Sequence, residues 1–400
     1  MKILRDFLDK IKPDFEAGGR FAMLRSVFEG FETFLFVPNT TAKQGTHIHD
    51  AADSKRTMSV VVLALFPSLL FGMYNVGYQH FLAIGQKAGF QKTFFYGILA
   101  VLPIILVSYI VGLGIEFISA QIKGHEIQEG YLVTGFLIPL IVPVDTPLWM
   151  IAAATAFAVI FAKEVFGGTG MNIFNVALVA RAFLFFAYPI HMSGDKVWVR
   201  MGSVFGIGKG EVIDTFSGAT PLGQVGMASS SVFGITGITG VTGEPLGFWD
   251  GVIGLIPGSI GETSIVAILL GAVLLLITKV ASWKTMFSVF AGGAIFGAVF
   301  NWIGPDTAVA NFPWYMHLVF GGFAFGAVFM ATDPVTSART EKGKWVYGFL
   351  VGTLAITIRV LNPGYAEGMM LAILLMNVFA PLIDFYIVDA NIKKRLNRVK

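Results

Sequence analysis

Between Phe95 and Ser119 the chain reads FYGILAVLPIILVSYIVGLGIEFIS, with Glu116 as its single charge. A helix needs roughly 20 apolar residues to cross a bilayer, and this run supplies them. Comparable segments recur at 57–76, 95–119, 131–143, 147–162, 173–189, 264–281, 285–303, 314–331, 345–361 and 368–388. Only 13% of the residues are charged, against about 25% in soluble domains. The surplus apolar surface has to face lipid. The expected fold is an all-α integral membrane protein of about ten transmembrane helices. Segment 131–143, YLVTGFLIPLIVP, is short and holds two prolines. It reads as a half-helix or broken helix, which a bilayer tolerates only where protein surrounds it.

Basic residues orient such a chain, because positively charged short loops stay in the cytoplasm. The N-terminal segment carries Lys2, Arg5, Lys10, Lys12, Arg20, Arg25, Lys43, Lys55 and Arg56. The C-terminal tail carries Lys393, Lys394, Arg395, Arg398 and Lys400, and the loop 332–344 carries Arg339, Lys342 and Lys344. Both termini are therefore expected in the cytoplasm, which demands an even number of spans. Loops 304–313 and 362–366 then lie outside and hold no Lys or Arg. The long connection 190–263, rich in Gly, Ser and Thr, also lies outside, on the periplasmic side of a bacterial inner membrane. Its GITGITGVTGEPLG run reads as turns.

The chain divides on this basis into a cytoplasmic segment 1–56, helices over 57–189, the connection 190–263, helices over 264–388 and a basic tail 389–400. The two helical regions share a faint repeat. VPVDTPLW (142–149) and MATDPVTS (330–337) are each followed by a helix, a glycine-bearing turn and an asparagine, in NIFNVA and MNVFAP. Duplicated halves with interrupted helices are a transporter pattern, with sites where the halves meet.

Several chemistries are excluded. Without cysteine there is no disulfide and no thiolate-held cluster. The first 56 residues carry too much charge for a cleaved leader and hold no short apolar core. His47 and His49 form an H-x-H without further metal ligands at useful spacing, so they read as a surface pair. The glycine fingerprint of a dinucleotide site is missing, so the chain alone does not oxidise NADH. No nucleic-acid partner is expected.

The stretch DTFSGATPLG (214–223) stands out by its polarity. Gly218 and Ala219 leave room beside the Thr220 hydroxyl. By itself this could be an ordinary turn, but D-x-x-S-G-A-T resembles the site where a flavin transferase esterifies a threonine with FMN. AKEVFGGTGMNIFNVALVARAFLFFAYP (162–189), IPGSIGE (256–262), GGFAFGAVFMATDPV (321–335) and NPGYAEGMMLAILLMNVFAPLID (362–384) resemble the same family. It comprises the B-type subunits of sodium-translocating NADH:quinone reductases and the D-type subunits of ferredoxin:NAD oxidoreductases. The charged N-terminal segment with FEAGG (15–19) favours the B type.

The resemblance implies FMN covalently bound to Thr220, with Asp214, Ser217, Gly218 and Ala219 completing the motif. It implies a six-subunit reductase as the partner assembly, quinone as electron acceptor and sodium as transported ion. It also implies a second, non-covalent flavin, riboflavin, assigned to Asn172, Asn175 and Gly168. The residues themselves leave two readings there. Gly167, Gly168 and Gly170 permit close backbone approach, and Asn172 and Asn175 are expected three apart on the next helix. They either meet a ligand or bond across packed helices.

Charges inside spans face protein or cavities because lipid exposure is costly. Glu116, Arg181, Asp333, Arg359 and Asp384 fall in this class. Arg359 and Asp384, near helix ends, fit interfacial snorkelling or one internal ion pair. The resemblance links Glu29, Glu116, Glu262, Asp333 and Asp384 to sodium movement, and Gly112 with Glu116 to quinone; Leu113 departs from a glycine seen in relatives. Phe325 and Phe329 are core packing or a hydrophobic constriction in an ion path. A D-type ferredoxin:NAD subunit and a non-redox channel or transporter are the rival readings.

Overall fold

The computed structural model describes residues 2–16, 18–21, 25, 28, 30, 32, 36, 44–46, 54–123, 130–214, 216–228, 237–362, 364–365 and 367–399. Glu29, His47 and His49 lie outside these residues. Among the described residues there is no strand, only isolated bridges pairing Val204 with Ile207 and Thr239 with Pro245.

After α1 (Lys2–Phe15) come α2 (Ser54–Ala83) and α3 (Phe90–Lys123). Then follow α4 (Tyr131–Leu140), α5 (Leu148–Phe157, running on as a π-helical segment Ala158–Glu164) and α6 (Val176–Ala187). The second helical region holds α7 (Ile265–Ile277), α8 (Trp283–Ile303) and α9 (Phe323–Phe325, running on as a π-helical segment Gly326–Met330). It ends with α10 (Glu341–Leu361) and α11 (Met369–Val399). Short helices Pro221–Met227, Phe248–Ile253, Ala308–Asn311 and Trp314–Val319 fill the connections.

Five helices, α2, α3, α8, α10 and α11, are long and apolar enough to cross a membrane, and α4, α6 and α7 are shorter apolar helices. Their outer faces expose Ile110, Leu270, Phe287 and Phe385, an apolar surface too extensive for water. The protein is a multi-pass helical membrane protein. Small residues let its helices approach closely. A Cβ on Gly97 would sit 1.7 Å from the Met73 carbonyl oxygen, and one on Gly352 would sit 2.0 Å from that of Val289. These contacts pin α3 to α2 and α10 to α8.

One broken helix is the expected one in 131–143; a second interrupts the expected span 314–331. α4 stops at Leu140, and the buried backbone beyond it is bonded rather than bare: the Leu140 carbonyl accepts from Gly261 N–H at 2.7 Å. Helix 314–319 stops before Gly321 and Gly322, both at positive φ, and α9 resumes after them. The two asparagines of the repeat meet. With its amide oriented to suit its neighbours, Asn377 accepts from the Asn175 backbone N–H at 3.1 Å and donates to Tyr347 at 3.0 Å.

Two expectations are corrected here. Asn172 and Asn175 do not share a helix. α6 begins at Val176, and Asn175 caps it, its side chain accepting from Leu178 N–H at 3.1 Å. Asparagine favours that cap because its short amide satisfies an orphan donor. Arg359 neither snorkels nor pairs with a carboxylate side chain. It is fully buried and donates to the carbonyls of Glu367 (2.7 Å), His317 (2.5 Å) and Gly321 (3.0 Å). The break after Val319 leaves carbonyls without helical partners, and the guanidinium fork satisfies them.

Candidate functional site

Two spaces collect about half of the singled-out residues, one at each end of α7. Glu262 and Thr263, just before that helix, line a large cavity of about 1020 Å³. Leu275, Val280 and Ala281, at and beyond its other end, line a narrow crevice of about 80 Å³. A 13-residue helix separates them by about 20 Å.

Thr220 stands in the wall of the large cavity with Ser217 and Ala219. It is the N-cap of helix 221–227, and its Oγ accepts from Gly223 N–H at 3.1 Å. Pro221 fills the first helical position, where no N–H is needed. Gly218 is buried behind the wall, and a Cβ there would come within 2.4 Å of the Asp195 carbonyl oxygen. Gln224 holds the motif from within. Its amide donates to Ala219 O at 3.0 Å and Thr239 O at 2.7 Å, and accepts from Thr239 N–H at 2.9 Å. Asp214 sits exposed in a turn and takes no part in this wall.

The charged part of the same cavity is a buried triad. Arg181, from α6, donates to Glu262 at 2.7 Å and on its other arm to Glu367. Two carboxylates thus share one guanidinium. Gly322 permits it, since a Cβ there would meet the Glu262 carboxyl carbon at 2.8 Å. Residues 364, 365 and 367 line the cavity together with parts of the stretches 217–228 and 256–263. Two of the loops expected on the outer side, 190–263 and 362–366, therefore border one cavity.

At the other end, Thr57 and Met58 join Val280, Thr332 and Asp333 around the crevice. Asp333 accepts from Asn175 Nδ2 at 3.1 Å and from Val335 N–H at 2.9 Å. Asn172 folds on itself, donating to Phe174 O at 3.0 Å. Gly168, at φ +97°, shapes the turn but is not part of the wall. Gly322 lines the large cavity and Phe329 the crevice; along the chain between them Phe325 is buried, its ring centroid 4.9 Å from that of Phe329.

Glu116 and Gly112 gather around α3. A Cβ on Gly112 would overlap the Tyr131 ring, so this glycine seats the tyrosine. Glu116 forms an ion pair with Lys163 of the α5 π-helical segment; both side chains are about 5% exposed or less. The Lys163 ammonium also lies 5.9 Å above the Tyr131 ring. Asp384, on α11, accepts from the backbone N–H groups of Arg339 (2.7 Å) and Thr340 (3.0 Å) and from the Thr340 hydroxyl (2.6 Å). It fastens the start of α10, away from both spaces.

Sequence reasoning missed Lys163, Glu367 and Gln224. Lys163 lies one residue beyond the expected span 147–162, and nothing in the local sequence signals a π-helical segment there. Glu367 sits in a loop, where an acidic residue carries no signal. Among the described residues no group of His, Asp or Glu forms a metal cluster.

A multi-pass bundle with two interrupted helices, buried charges and a hydroxyl displayed into a large cavity belongs to the class of membrane-embedded transport subunits. Residues 41–393 match the model of the NQR2, RnfD, RnfE family, and the chain belongs to that family. It is 42% identical to the B-type subunit of the Na(+)-translocating NADH-quinone reductase of Pseudoalteromonas atlantica, covering 99% of each chain. The corresponding protein of Azotobacter vinelandii is 44% identical, again over 99% of each chain. That of Neisseria meningitidis is 42% identical over the same share.

Proposed function

We propose that the chain is the flavin-bearing membrane component of a sodium-translocating NADH:quinone reductase, with FMN esterified to Thr220. One observation carries this reading: Thr220 borders a cavity large enough for a flavin nucleotide. Ligand sites typically measure about 300–1,000 Å³, and this one reaches the upper limit. Gly218 and Ala219 keep the approach to the hydroxyl free of bulk. The cap at Gly223 uses a lone pair of Oγ, so the O–H hydrogen is available for replacement by a phosphoester. Bound there, the flavin supplies the redox chemistry that a chain without thiols lacks.

The riboflavin assignment does not fit the residues as they stand. The crevice beside Asn172 and Asn175 holds about 80 Å³, and both ends of the Asn175 amide are already bonded.

The ion path runs, on this reading, from the Arg181–Glu262–Glu367 triad past Phe325 and Phe329 to Asp333 and Glu116. Carboxylates suit a hard cation. The phenylalanine pair keeps the path dry and shut. Moving one charge against 100 mV costs about 2.3 kcal/mol, so the barrier has to open in step with electron transfer. Glu29 belongs to the same path, and Gly112 with Glu116 borders the quinone region. Other subunits of the complex would supply electrons, a flavin transferase would load Thr220, and quinone would accept.

The termini are assigned to the cytoplasm and the Thr220 connection to the periplasm of the bacterial inner membrane. The positive-inside pattern supports this, as does the cavity that the connection 190–263 and residues 364, 365 and 367 border together. The relatives are named as B-type reductase subunits and are matched over 99% of their length. They favour the quinone reductase over the D-type ferredoxin:NAD component.

The test is the chain produced in a host that contains the transferase. A denaturing gel under ultraviolet light should show a fluorescent band that Thr220→Val abolishes. A dark wild-type band with no added mass on the Thr220 peptide would leave the non-redox transporter reading in its place.

A further inference from the structure

The Glu116–Lys163 pair is half-made in an instructive way. Glu116 Oε1 takes the ammonium, while Oε2 is buried with no partner among the described residues. An unmatched carboxylate oxygen in the interior is costly, so the site has room for more positive charge. Lys163 reaches it from a π-helical segment, a local insertion that often marks functional positions. The same Lys163 also lines the crevice that holds Thr134, Thr169, Asn172 and Asp333. In that crevice the Thr169 hydroxyl is buried and unpartnered too. About 80 Å³ is ample for a group the size of a water molecule.

Charge decides what the arrangement can bind. With both carboxyl groups ionised, Glu116, Lys163 and Asp333 together carry one net negative charge, so the set is one cation short. The nearby Glu164 is occupied by Ser119 and by Lys123 at 2.8 Å. Two cations on Glu116 would leave Asp333 without one, whereas one on each carboxylate makes the set neutral. We propose that Lys163 is a tethered competitor for a sodium-sized monovalent cation at Glu116, vacating that carboxylate for Asp333 when the ion enters. The proposal rests on the ion-path reading of Glu116 and names the residue that regulates it. Lys163 acts here as a positioning residue: it decides when Glu116 is free.

Equilibrium ²²Na⁺ binding to the purified complex tests it, read together with the sodium dependence of turnover. Removing the competitor with Lys163→Gln should tighten sodium binding about five-fold or more, the low end of ordinary coupling between sites. Lys163→Arg should keep sodium binding at or weaker than wild type, and Glu116→Gln should weaken it. Loss of structure lowers affinity, so a tighter site cannot come from damage. If Lys163→Gln does not assemble, Lys163→Met provides the second arm, with the same expected tightening of about five-fold or more. Sodium affinity unmoved by Lys163→Gln while Glu116→Gln still weakens it would overturn the competitor alone. Affinity unmoved by Glu116→Gln would overturn the ion-path reading and the competitor with it.

Discussion

The carboxylate of Glu116 and the ammonium of Lys163 meet inside the protein, α3 against the π-helical segment of α5, both nearly sealed from solvent. Breaking such a pair on one side strands a buried charge and costs about 3–5 kcal/mol, whereas removing both partners is often neutral. Glu116→Gln alone and Lys163→Met alone should therefore lower the melting temperature in detergent, and the double variant should recover most of the loss. A loss in the double variant equal to the sum of the two single losses would show that the pair is not coupled.

Gly218→Ala adds a Cβ within 2.4 Å of a backbone oxygen. Backbone cannot retreat as a side-chain tip can, so the motif should shift. The expected result is a large drop in flavin fluorescence on the denatured band, with Thr220 still present. Ser217→Ala, at a residue that is not tightly enclosed, should leave most of it.

Gln224→Leu removes the amide that ties Ala219 to Thr239. It leaves two carbonyls and one N–H without their partner, at about 1–3 kcal/mol for each group left unsatisfied. Faster limited proteolysis within 214–245 is the readout, and flavin attachment should fall in parallel.

Arg359→Lys should be nearly as damaging as Arg359→Met. The guanidinium serves three carbonyls in different directions, which a single ammonium on a flexible stem does not reproduce. Unfolding in detergent should begin earlier in both variants. A lysine variant as stable as the native protein would argue that charge alone suffices.

Phe325→Ala should cost about 3–5 kcal/mol as a buried cavity and should also join the two internal spaces. Sodium leak through liposomes carrying the variant, absent with wild type, is the measurement.

Much of this was legible in the sequence. Apolar runs located most of the helices, and Pro139 and Pro143 located the first break, because backbone without a helical partner needs special residues; the second break, at Gly321 and Gly322, falls inside the expected span 314–331 and was missed. The Thr220 cap was readable in principle: hydroxyl, proline and a short apolar run form a helix start. Asn175 carried the same signal but was masked by the apolar run that begins at Ile173, which reads as helix throughout. What stayed hidden depends on distance along the chain. Arg181 finds Glu262 and Glu367, and Asn175 finds Asp333, through folding alone.

The Thr220 oxygen anchors the start of helix 221–227 through a lone pair. Thr220→Val therefore removes two things at once, the cap and, on the proposed reading, the point of ester formation. Thr220→Ser keeps an oxygen in the same place, so the serine variant separates a loosened turn from a lost linkage.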